Sequence, residues 1–152
     1  MIREVSIDDS DLLYEWRNAP EVQEFSRQQS SISKEPHLKW LNERLNQLPD
    51  QPFWIFEIGH EVVGIMRLDL DPIFRHFEIS ITVNPLLRGK GFGRKILNLS
   101  IDLAKSRFPG TDFYAEAHKL NNTSQMLFLN SGFKLIESKG DFLVFKRIEN
   151  PN

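Results

Sequence analysis

The segment "RGKGFGRKIL", residues 88–97, constrains this chain more than any other. Glycine stands at 89, 91 and 93, among Arg88, Lys90, Arg94 and Lys95. Glycine at that density weakens a strand and spoils a helix. Yet "FEISITV" before it alternates Phe77, Ile79, Ile81 and Val83 with Glu78, Ser80 and Thr82, which is the period of a strand. After it, Leu97, Ile101, Ala104 and Phe108 recur at helical spacing. A strand that enters a helix through bare backbone gathers N–H groups at the positive helix end, which is an anion site.

Three phosphate signatures compete for that loop. The P-loop pattern has no register here. The dinucleotide pattern G-x-G-x-x-G fails because Arg94 stands where its third glycine belongs. The pattern [QR]-x-x-G-x-[GA] fits 88–93.

The rest of the chain reads as an α/β alternation. Residues 2–6 form a short strand and 8–18 a helix that Pro20 stops. Ser33 caps a second helix with a stripe of Leu38, Leu41, Leu45 and Leu48. Strands 53–58 and 62–70 flank Gly59-His60-Glu61, a hairpin signal. In "DFYAEAH", Phe113, Ala115 and Ala117 face away from Tyr114, Glu116 and His118. A capping box at 122–125 opens a short helix, and Gly132 follows its end. Strands 133–136 and 142–145 close the chain. The order is β-α-α-β-β-β-α-β-α-β-β, and 152 residues suit a single domain over 1–152.

Composition removes several function classes. A net charge of −2 gives no basic field for nucleic acid or a membrane surface. No apolar run is long enough to span a bilayer, and no signal peptide opens the chain, so a cytoplasmic location is expected. Cysteine is absent, which excludes thiolate metal sites and a cysteine nucleophile. No cluster has metal-ligand spacing, so no metal is expected.

"ITVNPLLRGKGFGRKIL" resembles the pyrophosphate-binding motif of the GNAT N-acetyltransferase superfamily, and "NNTSQMLFLNSGFKL" resembles that family's later motif, about 30 residues downstream. The resemblance covers essentially the whole chain. It implies the GNAT fold: a mixed, mostly antiparallel sheet of six or seven strands flanked by helices, with splayed parallel central strands. It implies acetyl-CoA as cofactor, held by Arg88, Gly89, Lys90, Gly91, Phe92, Gly93 and Arg94. It also implies contacts from the strand edge at Ile81, Thr82 and Val83, and from Asn121, Ser124 and Phe128. An N–H near Val83 would stabilise the oxyanion. The gap between the 77–83 strand and the 113–118 strand would take the thioester.

Without a cysteine, direct attack by the amine in a ternary complex is expected. Many GNAT enzymes place a tyrosine acid where this chain has Phe128, so the usual acid cannot be assigned. Ser124 or water could protonate a thiolate, itself only weakly basic. Glu78, Glu116 and His118 are the candidate bases, all on polar sides of the two strands expected to splay. His37, His60 and His76 read as surface or packing residues.

"LLYEWRNAPEVQEFS" and "ISKEPHLKWL" resemble one GNAT branch. It contains ribosomal-protein N-terminal acetyltransferases and acetyltransferases for nucleotide-linked amino sugars of the pseudaminic-acid type. The W-R-N and H-L-x-W pattern in so short a chain looks closer to the sugar enzymes. Arg17, Asn18 and Trp40 are then the expected substrate contacts, with Phe25, Phe74 or Phe77 free to stack on a ring. The partner is a small-molecule amine, for a chain acting as monomer or homodimer. Two alternatives stay open: a protein or peptide N-terminal acetyltransferase, which scattered acids such as Asp8, Asp9, Asp11, Glu21 and Glu24 could serve, and a non-catalytic acyl-CoA-binding module.

Overall fold

A computed structural model describes residues 1–27 and 30–148. Strands β1 (Ile2–Glu4), β2 (Phe53–Ile58), β3 (Glu61–Leu70), β4 (Phe77–Val83), β5 (Phe113–His118), β6 (Phe133–Lys139) and β7 (Phe142–Arg147) form one sheet in the order β1-β2-β3-β4-β5-β7-β6. Among the described residues only β4 and β5 run parallel. The helices are α1 (Ser10–Arg17), α2 (Pro20–Gln23), α3 (Lys34–Leu45), α4 (Phe92–Arg107) and α5 (Asn122–Asn130). This is the mixed, mostly antiparallel sheet that the resemblance implies.

Alternation divides the apolar residues between two cores. Trp54, Phe56, Met66, Leu68, Phe77, Ile79, Phe113 and Ala115 join Leu97, Ile101 and Ala104 of α4 and Phe128 of α5 on one face. Phe53, Ile55 and Ile65 join Leu13 and Trp16 of α1 and Leu41 of α3 on the other. That second core reaches only β2 and β3. The same face of β4 and β5, carrying Glu78, Ser80, Thr82, Glu116 and His118, lines an open cavity instead.

Three local expectations need correction. Pro20 does not merely end a helix: α1 stops at Arg17, and Pro20 opens α2 from its first position, where its missing N–H costs nothing. The α3 stripe is rotated, because Leu38 is exposed while His37, Leu41 and Arg44 face inward. Arg44 turns the helix that way, giving hydrogen bonds to Asp69 Oδ1 (3.0 Å) and to the carbonyls of Gln51 (2.6 Å), Pro52 (3.1 Å) and Leu68 (2.8 Å). Finally, α5 is capped by Asn121 and not by a box at 122–125. Asn121 Oδ1 accepts from Ser124 N–H at 3.1 Å, while Gln125 donates to the carbonyls of His118 and Lys119. Ser33 holds the cap position of α3 without a side-chain cap bond. Gly132 follows α5 at φ +84°, as expected.

Candidate active site

The site begins where β4 and β5 part. They pair at Phe77/Phe113, Glu78/Tyr114 and Ile79/Ala115, and no further. The Phe77 N–H donates to Asp112 O, on the β5 side, and the Asn84 N–H donates to Val63 O, on the β3 side. Strand alternation therefore turns the N–H and C=O of Ile81 and Val83 toward β5, where no strand meets them. Thr82 turns its backbone to β3 and its side chain to the cavity.

Past Val83 the chain enters the glycine loop. Gly89 and Gly91 take φ of +78° and +83°, the left-handed region that favours glycine, and Gly91 caps α4. A Cβ built on either meets nothing within 4 Å, so bare backbone faces open space. Gly93 lacks positive φ, and its Cβ would sit 3.5 Å from Leu127 and Val83, which explains a pattern that admits alanine there.

A cavity of about 980 Å³ connects these parts. Its wall runs from Arg88, Gly89, Gly91, Phe92, Gly93 and Arg94, along β4 from Glu78 to Val83, to Glu116, Ala117 and His118, with Asn121, Ser124 and Phe128. Lys90 is exposed and stands outside that wall. The cavity fits the acetyl-CoA expectation on two observations, the unpaired strand edge and the bare loop at the start of a 16-residue helix.

The candidate catalytic side chains meet in this cavity with unequal freedom. Glu116 Oε2 accepts a hydrogen bond from Arg27 Nη2, which lies 3.8 Å from Glu78 Oε1. His118 is 9% exposed, packed between Phe25 and Phe142, and its Nδ1 accepts from Leu120 N–H at 3.1 Å. With Nδ1 so engaged, a neutral His118 ring would offer its Nε2–H as a hydrogen-bond donor. Ser124 Oγ accepts from Asn121 Nδ2 at 3.0 Å, which leaves its own O–H free to donate. Phe128 lies in the core against Phe133 and Phe145.

A second cavity of about 340 Å³ adjoins the first and shares Val22, Arg67, Ser80 and Thr82 with it. Its wall includes Trp16, Arg17, His37, Trp40 and Phe53. Arg17 and Trp40 are therefore brought together, but Asn18 is not. Both polar atoms of its amide are bonded to Ile32, at 2.9 Å and 3.0 Å, so it fastens the chain ahead of α3. Phe25 lines the large cavity, Phe74 is exposed on a loop, and Phe77 is buried in the core and unavailable for stacking. His37 is more than a packing residue, since it lines this cavity with Nδ1 lacking a hydrogen-bond partner. Burial, and then the charge of Arg17, lower its proton affinity below the ordinary histidine value, so it is neutral near pH 7.

Sequence reasoning missed Arg27, Arg67 and Phe142. Arg67 interrupts the apolar run of β3, and that interruption was a usable signal. It bonds Asp69 at 2.9 Å and Ser80 Oγ at 3.3 Å, with its guanidinium 5.2 Å from the Trp40 ring centre. Among the described residues no group of histidine and carboxylate side chains could hold a metal, and no helix is long and apolar enough to cross a membrane.

Residues 1–134 match the family model described as an acetyltransferase (GNAT) domain. Acetyltransferase PseH from Campylobacter jejuni subsp. jejuni serotype O:23/36 (strain 81-176) is 22% identical over 139 residues, 91% of this chain and 85% of that protein. Two solved structures share the fold. A ribosomal-protein-alanine N-acetyltransferase from Brucella melitensis aligns with TM-score 0.78 at 22% identity, covering 98% of this chain and 99% of that one. The spermidine N-acetyltransferase from Vibrio cholerae in complex with CoA and spermine aligns with TM-score 0.79 at 16% identity, covering 96% and 92%.

Proposed function

The chain belongs to the GNAT acetyltransferase family, and we propose that it acetylates the amine of a nucleotide-activated amino sugar by direct attack in a ternary complex. Its cofactor is acetyl-CoA, which supplies an acyl group activated as a thioester. The observation that carries the substrate reading is the pair of adjoining cavities. The smaller one offers Trp40 to a planar ring and Arg17 and Arg67 to phosphate, and it joins the larger one beside Ser80 and Thr82.

The residues divide the chemistry as follows. Gly89, Gly91 and the first turn of α4 hold the pyrophosphate, with charge from Arg88 and Arg94. The open N–H of Val83 holds the developing oxyanion, a role whose removal typically costs about 3 kcal/mol. Glu78 takes the amine proton, directly or through one water, since Glu116 is engaged by Arg27. The Ser124 hydroxyl, oriented by Asn121, donates a hydrogen bond to the departing thiolate, which takes its proton from water, in place of the tyrosine absent at Phe128.

The peptide alternative needs an acidic groove, and the acids available to build one are partly spent elsewhere. Asp9 is held by both Arg3 Nη atoms and Asp11 lies 3.7 Å from Lys34, which leaves Glu21 as the member of that set on the cavity wall. The test is thiol release from acetyl-CoA with two acceptor panels, UDP-linked amino sugars and N-terminal peptides. Turnover on a sugar, with KM raised at least ten-fold by Trp40→Leu, is expected. Turnover confined to peptides would replace this substrate by the alternative and keep the cofactor site.

A further inference from the structure

Arg27 lies after α2, outside every helix and strand, with a side chain 64% exposed. Its partners come from three strands. Nη2 donates to Glu116 of β5 and faces Glu78 of β4 at 3.8 Å, while the guanidinium carbon is 5.7 Å from the ring centre of Phe142 of β7. The carboxylates straddle the splay point: Glu78 pairs with Tyr114, and Glu116 lies just past the last pair, Ile79/Ala115. All four side chains line the large cavity.

Two carboxylates under an aromatic face form the chemistry that holds an alkylammonium ion. Here the chain fills it with a cation of its own. With Arg27 in place the pair presents one net negative charge to the cleft, and without it two. A polyamine carries several ammonium groups and meets a like charge at that point. An acceptor with one amine and an anionic remainder meets it with a single ammonium, and its anion is drawn toward the guanidinium in compensation.

We propose that Arg27 is a specificity-determining residue, an internal counter-cation that keeps polyamines off the Glu78–Glu116 pair while admitting an acceptor with a single amine. This rests on reading the β4–β5 cleft as the acceptor site.

Spermidine is the probe, titrated calorimetrically into the CoA-loaded protein at low ionic strength. Arg27→Gln is expected to tighten spermidine binding about five-fold, the scale of one partly exposed charge pair, with CoA affinity unchanged. Arg27→Lys should keep the wild-type exclusion, and adding Glu116→Gln to Arg27→Gln should abolish the gain. Raising the salt to about 0.15 M, where the Debye length is about 8 Å, should shrink the difference. Spermidine binding no tighter in Arg27→Gln than in wild type overturns the assignment, whether or not any acceptor turns over. Tightened spermidine binding without turnover on amino sugars would retain Arg27 and remove the sugar reading, and the opposite result would do the reverse.

Discussion

Replacing Gly91 by alanine separates the folding role of the glycine loop from its binding role. Gly91 sits at φ +83°, ψ 5°. An L-residue in that region costs about 1–2 kcal/mol, and the loss of freedom in the unfolded chain offsets about 0.4–1 kcal/mol of it. The net loss is about 1 kcal/mol, or a Tm lower by about 2–4 °C for a chain of this size. No protein atom opposes the new methyl, since nothing lies within 4 Å of it, but Gly91 is part of the cavity wall. A charge-assisted N–H bond to an anion contributes about 1.5–3 kcal/mol. Holding the pyrophosphate off one such N–H should therefore raise the CoA Kd at least ten-fold. Gly93→Ala is the control, because φ there is not positive and its methyl makes ordinary contact with Leu127 and Val83. It should keep Kd within about three-fold by the same scale. Calorimetry gives Kd, and thermal melts give Tm. A Gly91→Ala protein with the small Tm shift but wild-type CoA affinity would refute the cradle.

Other perturbations test the support of the site. Asn121→Ala removes the α5 cap and the bond that orients Ser124; thermal melts should show a loss of about 1 kcal/mol, and kcat should fall while Asn121→Asp keeps most of the stability. Arg44→Met strips partners from three carbonyls, two of them buried, and from Asp69; denaturant titration should show a loss of about 3–5 kcal/mol, and a loss below 1 kcal/mol would mean that water replaces the guanidinium. His37 is held neutral in the native state, so its folded pKa lies below its unfolded one. Below about pH 6.5 the unfolded chain takes a proton that the native chain does not, and stability falls as pH drops. Thermal melts from pH 8 to 5 should decline less for His37→Gln than for wild type, and parallel profiles would contradict that assignment.

The parts of the fold written locally were legible. Strict alternation at 77–83, the apolar stripe of α4 and the glycines at 89 and 91 each state their conformation within a few residues. The inner face of α3 was not legible, for a physical reason. A hydrophobic count selects Leu38, Leu41, Leu45 and Leu48, but the helix is turned by a buried arginine whose acceptors lie on β3 and on the approach to β2. A count of apolar residues cannot register a charged side chain as inward-facing. The cap of α5 failed differently: Asn121 and Asn122 are adjacent and chemically identical, and only the backbone decides which one accepts the Ser124 N–H.

The candidate site divides along the same line. The residues proposed for the acyl donor were readable because they would act through backbone, and backbone exposure leaves a glycine signature in the sequence. Those proposed for the acceptor side would act through side-chain pairs between distant segments. Arg27 meets Glu116 across 89 residues, and no spacing rule announces that pairing. Yet the pairing changes the chemistry assigned to each group. An unpaired Glu116 would be as good a base as Glu78, and an unbonded His118 better than either. With Arg27 on one and the Leu120 N–H on the other, Glu78 is the base we propose, and His118 and Ser124 are left as hydrogen-bond donors. Glu78→Gln should therefore lower kcat well beyond ten-fold, within the range expected for losing a general base. Glu116→Gln should act mainly through KM. The reverse ranking would mean that Arg27 leaves Glu116 when the acceptor enters, and that the carboxylate it releases is the base.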